Sequence, residues 1–119
     1  MPPWDLIERT HDFALAVTKF CRRLPDTKEA QDAGRQVRRA ATSVRSNYRA
    51  ARKSGSRAMF RSKLQIAYGE ADECVDWLQY LKENNIQHDA ALVQEAREIA
   101  SILCAAVKTA RRNSESAEH

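Results

Sequence analysis

From Phe60 to Leu81, apolar residues recur at alternating steps of four and three: Phe60, Leu64, Ala67, Ala71, Cys74, Leu78 and Leu81. Leu92, Ala96, Ile99, Leu103, Ala106 and Ala110 repeat the pattern. Sustained 4-3 spacing puts the apolar side chains on one stripe of an α-helix, and such stripes pack at shallow angles in bundles and coiled coils. A strand would alternate with period two, which excludes a sandwich or barrel here. Three glycines and three prolines in 119 residues leave few places for the chain to turn. That length suits one domain with a core of its own.

Two further helices precede these. The first spans about residues 5–23, with Ile7, Ala14, Val17, Cys21 and Leu24 on one stripe and Leu6, Phe13 and Phe20 widening it. Pro25 ends it, because proline lacks an N–H and clashes with the preceding turn. Asp26 or Thr27 can cap the next helix, and Asp26 with Glu29 imitates a capping box. That second helix spans about residues 27–54 and carries Ala30, Ala33, Val37, Ala40, Ala41, Val44, Tyr48 and Ala51 on its apolar face. Side chains this small predict close approach of its neighbours. Ser54-Gly55-Ser56 breaks the chain, with Gly55 suited to a left-handed position and Ser56 to a cap. The third and fourth helices cover about residues 57–84 and 89–111. Short connections make successive helices antiparallel. The expected fold is an all-α, up-down-up-down four-helix bundle over residues 1–112, followed by a frayed polar tail at 113–119.

No apolar run approaches the ~18 residues of a membrane span, and MPPWDLIERTHD lacks the basic start and apolar stretch of a signal peptide. Both point to the cytoplasm. Cys21, Cys74 and Cys104 are odd in number, far apart and at apolar helical positions, which predicts reduced, buried packing residues instead of a zinc site.

The third helix has apolar residues to spare. Met59, Ile66, Trp77 and Tyr80 lie roughly 90–160° from the centre of its seam, on a flank shared with Glu70 and Glu73. A broad core face with rim aromatics accounts for this. A subunit interface accounts for it better, since Trp and Tyr at a polar-rimmed patch favour contacts, and it implies a homo-oligomer.

Charge is strongly segregated within a net total of only +4. Between Ala33 and Gly69 stand ten basic residues and no acid: Arg35, Arg38, Arg39, Arg45, Arg49, Arg52, Lys53, Arg57, Arg61 and Lys63. From Glu70 to Ala100 there are eight acids against Lys82 and Arg97. On the second helix Arg35, Arg38, Arg45, Arg49, Arg52 and Lys53 fall within about 100° of arc, away from the apolar stripe. Guanidinium groups bind phosphate bidentately, so an arginine stripe fits a nucleic-acid backbone. It also fits salt bridges to an acidic subunit or partner, or simple solvation. The candidate nucleic-acid residues are Arg38, Arg45, Arg49, Arg52, Lys53, Arg57 and Arg61. Only Tyr48 interrupts the stripe as an aromatic, so binding should follow the backbone with little sequence preference.

Enzymatic machinery is not legible. His11, His88 and His119 show no ligand spacing, Gly34, Gly55 and Gly69 stand alone, and no Ser/His/Asp arrangement is local. Glu70, Asp72, Glu73 and Asp76 resemble the carboxylates of a metal-binding bundle but lack its E-x-x-H partner. No catalytic residue, metal or cofactor is therefore expected. Ser43 and Asn47, four apart beside the apolar seam, suit a helix-pairing hydrogen bond or, less simply, a ligand contact.

The stretches QVRRAATSVRSNYRAA (Gln36 to Ala51) and SRAMFRSKLQIAYGEADECVDWLQYL (Ser56 to Leu81) resemble the bacterial four-helix-bundle family first noticed as products of intervening sequences within 23S ribosomal RNA genes. Gln36, Arg38, Arg39, Ala40, Ser43, Val44 and Asn47 match the family core Q-x-R-R-A-x-x-S-[IV]-x-x-N. Phe60, Leu64, Ala67, Glu70 and Glu73 match the helix that follows. Where many members continue with I-A-E-G, this chain has Tyr48-Arg49-Ala50-Ala51. The resemblance extends from Leu6 to about Ala110. It implies a small cytosolic bundle assembled as a ring, commonly a homopentamer, with no established catalysis. Distant kin, the accessory proteins of diversity-generating retroelements, are basic pentamers that bind nucleic acid and a reverse transcriptase. The expectation is a non-enzymatic homo-oligomer that binds RNA or DNA through its second helix; the alternative is a scaffold whose basic face pairs with acidic protein.

Overall fold

A computed structural model describes residues 3–118, with side chains over residues 6–115. It contains four helices: α1 (Pro3–Arg22), α2 (Lys28–Lys53), α3 (Arg57–Glu83) and α4 (Ala90–Glu118). Each packs on its successor and α4 returns to α1, whereas among the described residues the diagonal pairs make no close backbone approach. The result is an antiparallel four-helix bundle about 54 Å long and 22–23 Å across. No described helix is long and apolar enough to cross a membrane.

The caps explain the boundaries. Thr27, in extended conformation, accepts from the Ala30 N–H at 3.3 Å and opens α2, so Thr27 and not Asp26 is the cap. Ser56 accepts from the Met59 N–H at 3.1 Å and opens α3. Gly55 does not take the left-handed conformation expected of it; extended Ser54 and Ser56 make the turn instead. The left-handed residue is Asn85, with φ 57°, just after α3. There the Ile86 N–H bonds the Leu81 carbonyl at 2.9 Å and the Asn85 N–H bonds that of Lys82 at 3.0 Å, a Schellman closure that turns Ile86 back onto the core. Asp89 accepts from the Leu92 N–H at 3.0 Å and begins α4.

The seams of α2, α3 and α4 follow the periodicity, with Phe60, Ala106 and Ala110 only partly buried. In α1 the stripe is rotated from the expected one. Leu6, Thr10, Phe13, Ala14, Val17, Phe20 and Leu24 are buried, while Ile7 and Cys21 lie at the margin. Thr10 was hidden from a purely apolar reading; its hydroxyl donates to the Leu6 carbonyl at 2.8 Å, which lets a polar residue sit in the core. Of the cysteines, Cys74 is buried and Cys21 and Cys104 are half-buried; all three are free. α4 continues as helix over residues 113–118, where a frayed tail was expected, and Ser114 is buried on it. His119 lies outside the described residues.

α2 comes close to both neighbours. The Cys74 Sγ of α3 stands 4.0 Å from the Val37 carbonyl, and the Cys21 Sγ of α1 stands 3.4 Å from that of Gly34. A Cβ on Gly34 would meet Leu24 Cδ1 at 2.7 Å. Ala40 and Ala41, about one turn further along α2, are fully buried. Enlarging such a residue forces the helices apart: Ala40→Leu should destabilise the fold by about 1–3 kcal/mol, read as a lowered urea midpoint.

Candidate nucleic-acid interface

α2 has two flanks beside its buried face, and they carry different chemistry. Toward α3 lie Gln36, Arg39, Ser43 and Asn47. The Arg39 guanidinium bridges Glu70 at 2.7 Å and Glu73 at 2.6 Å on α3. The Asn47 amide donates to both the carbonyl and the hydroxyl of Ser43, each at 3.0 Å, and the Ser43 hydroxyl in turn bonds Glu70. Trp77 extends the network by donating its ring N–H to Glu73 at 3.3 Å. Gln36 accepts weakly from Arg39 at 3.5 Å. Asn47 thus bonds within α2 while Ser43 faces Glu70 of α3, and two of the four carboxylates read as metal-like are engaged by a guanidinium. Among the described residues no three His, Cys, Asp or Glu side chains converge to hold a metal ion.

Burial raises the Glu70 carboxyl, but hydrogen bonds from Arg39 and Ser43, with the Arg39 charge, more than offset this and hold it below the ordinary carboxylate range. Burial pushes the Cys74 thiol far above its usual range. Cys21 is raised for the same reason, partly opposed by the charge of Arg38. Both thiols are thus poor nucleophiles.

Toward α1 and solvent lies the basic flank. Arg38, Arg52 and Lys53 are exposed, as is Arg57 across the turn, and none has an ion pair among the described residues. Arg45 is half-buried and its Nε donates to His11 Nδ1 at 2.8 Å, tying α2 to α1. Arg49 is also half-buried, and its Nε is sealed from solvent with no acceptor. Arg35 is paired with Asp32 one turn earlier. Arg61 departs from the group: it lines a depression between α3 and α4 with Gln65, Val107, Ala110 and Arg111. At α3's helical angle it faces α4, not the flank of α2.

Two features were not read in the sequence. Arg111 on α4 joins Arg61 because the end of α4 runs beside the start of α3; the antiparallel order was expected, but which residues stand at the same height on the two helices was not read from it. Arg9 pairs with Glu95 at 2.6 Å and Glu98 at 3.6 Å, bridging α1 and α4.

The apolar flank of α3 is open in part. Met59, Ile66 and Tyr80 are 49 %, 43 % and 41 % exposed, and Leu15 on α1 is 48 % exposed. Trp77 is packed partly against the core and meets Tyr80 edge-to-face at 5.6 Å.

Glu70's lowered carboxyl fixes the sign of a pH effect. A carboxylate held below its unfolded value stabilises the fold above the ordinary carboxylate range and stops doing so as pH falls through its folded value. Arg39→Ala should cost about 1 kcal/mol at pH 7, and the difference from the parent should shrink as pH falls below the ordinary carboxylate range in urea denaturation.

A family model described as 23S rRNA-intervening sequence protein matches residues 4–108. A crystal structure of a protein of unknown function from the S23 ribosomal protein family, from Bacteroides thetaiotaomicron VPI-5482, is similar with a TM-score of 0.81. It shares 27 % sequence identity over 91 % of this chain and 99 % of that one. No curated protein matches the chain. With a family model matching over nearly its whole length, the chain belongs to the 23S rRNA-intervening sequence protein family.

Proposed function

We propose that this protein is a non-enzymatic, homo-oligomeric bundle that binds the RNA or DNA backbone through the basic flank of α2. One observation carries the reading: Arg38, Arg52, Lys53 and Arg57 are exposed without an ion pair among the described residues, while Arg39 and Arg9 take up Glu70, Glu73, Glu95 and Glu98. Cations left over after internal pairing are available to phosphate. Arg49 supports them, because turning outward to a phosphate gives its Nε an acceptor instead of breaking a bond. Arg45 contributes less, since it would have to release His11. Arg61 marks a separate basic site with Arg111.

The oligomer in this reading uses Met59, Ile66 and Tyr80, with Trp77 at their margin. These lie on the α3 flank, so subunit contact and nucleic acid do not compete for the same residues. A pentamer is the state that the family resemblance favours, and a reverse transcriptase is the protein partner that the same resemblance suggests.

Filter binding against salt tests the proposal. Affinity should be measurable at low salt and fall with a log–log slope of about −0.9 per phosphate contact on duplex DNA. Arg38→Glu combined with Arg52→Glu should weaken binding by about tenfold or more and leave the native mass unchanged in light scattering. A mass that drops in this variant would instead assign the basic flank to a neighbouring subunit. Absence of binding at low salt would remove the nucleic-acid reading.

A further inference from the structure

The basic flank and the aromatic surface of this molecule are kept apart, and the separation bears on which form of nucleic acid fits. Proteins that grip single strands combine a basic track with exposed aromatic faces on which unstacked bases lie. Here Tyr48, the aromatic within the arginine stripe, is 5 % exposed. Trp77 and Tyr80 lie on the opposite flank of α2, around a depression lined by Glu29, Asp32, Ala33, Arg35 and Gln36. Trp77 also bonds Glu73. A strand crossing from the arginines to these rings would have to pass Glu29 and the ion-paired Asp32, Glu70 and Glu73, which Arg35 and Arg39 already engage. The two halves of a single-strand site stand on opposite flanks of α2.

The arrangement of the cations suits a preformed row of phosphates. Arg38, Arg49, Arg52 and Lys53 stand on one uninterrupted helix, and Arg38 to Arg52 spans about 21 Å at 1.5 Å per residue. Arg57, four residues before Arg61, begins the same face of α3 and stands outside this row. A duplex presents about one charge per 1.7 Å of its axis on a stiff backbone. It can meet such a row without the ordering that a flexible strand must undergo.

We infer that the nucleic acid held on the α2 flank is a duplex, gripped by its phosphates, and not an unstacked single strand. This rests on the reading of that flank as phosphate-binding. RNA and DNA duplexes share the chemistry, and separate probes distinguish them.

The test is fluorescence anisotropy of the full chain with ~20-bp RNA and DNA duplexes and with oligo-U and oligo-dT of the same length, over a salt series. At least one duplex should bind about tenfold more tightly than its single-stranded counterpart at equal salt. Arg38→Gln with Arg52→Gln, at unchanged helicity by circular dichroism, should make the slope on the DNA duplex shallower by about 1.8, two contacts' worth. Single strands that bind as tightly as the duplexes would overturn the inference and leave phosphate binding standing. An unchanged slope in the variant would move the duplex to another face and overturn it as well. If no probe binds at low salt, both the inference and the reading beneath it fall.

Discussion

Close packing of the small-residue face of α2 is the contact on which the rest of the molecule depends. Ala30, Ala33, Val37, Ala40, Ala41, Val44 and Ala51 are almost wholly buried, and they let α1 and α3 approach until sulfur atoms meet the α2 carbonyls. Helices held this near leave no room for long side chains between them. Every arginine of α2 is therefore placed on a flank or outward, where its charge stays hydrated or finds a partner. The crowded seam thus sets the two chemically distinct flanks. It also brings Arg39 within reach of two carboxylates on the next helix.

The same register decides which charges remain. Glu70 and Glu73 sit on the side of α3 that meets α2, so the nearest acids are spent on Arg39 and on Ser43. Glu95 and Glu98 sit on the side of α4 that meets α1, where Arg9 takes them. These bridges are partly exposed and contribute modestly to stability. Their larger effect is on the field around the protein: Glu70, Glu73, Glu95 and Glu98, four of the eight acids between Glu70 and Ala100, are paired across helix boundaries, while Arg38, Arg52 and Lys53 have no ion pair among the described residues.

Much of this was legible in the residues themselves. Heptad spacing identified three of the four seams, because an apolar side chain on a regular helix has one place to go. It placed the α1 stripe less well, since Thr10 is polar and satisfies its hydroxyl on its own helix, which an apolar pattern does not register. Caps of the Ser and Thr type were readable, whereas the left-handed Asn85 was not, because Gly55 was the more permissive residue and drew the expectation. The arginine stripe was visible as an arc. Its division was not: whether an arginine pairs with His11, an acid or nothing depends on which residues of other helices stand at the same height. Arg61 shows this most clearly, since its placement beside Arg111 follows from the packing of α3 on α4.

The position of the basic flank also explains how a chain of modest net charge could hold a polyanion. Arg38, Arg52, Lys53 and Arg57 supply few contacts from one copy, and exposed phosphate contacts weaken steeply as salt rises. An oligomer built on the Met59, Ile66 and Tyr80 flank of α3 would leave each copy's α2 cations uncovered. A duplex touching one copy would then meet the next at a high effective concentration, provided that its length spans both. In that geometry the two flanks of α2 have complementary tasks. In the proposed oligomer the network toward α3 would secure the helix pair bearing the subunit contact, and the cations toward α1 would gain their strength from repetition.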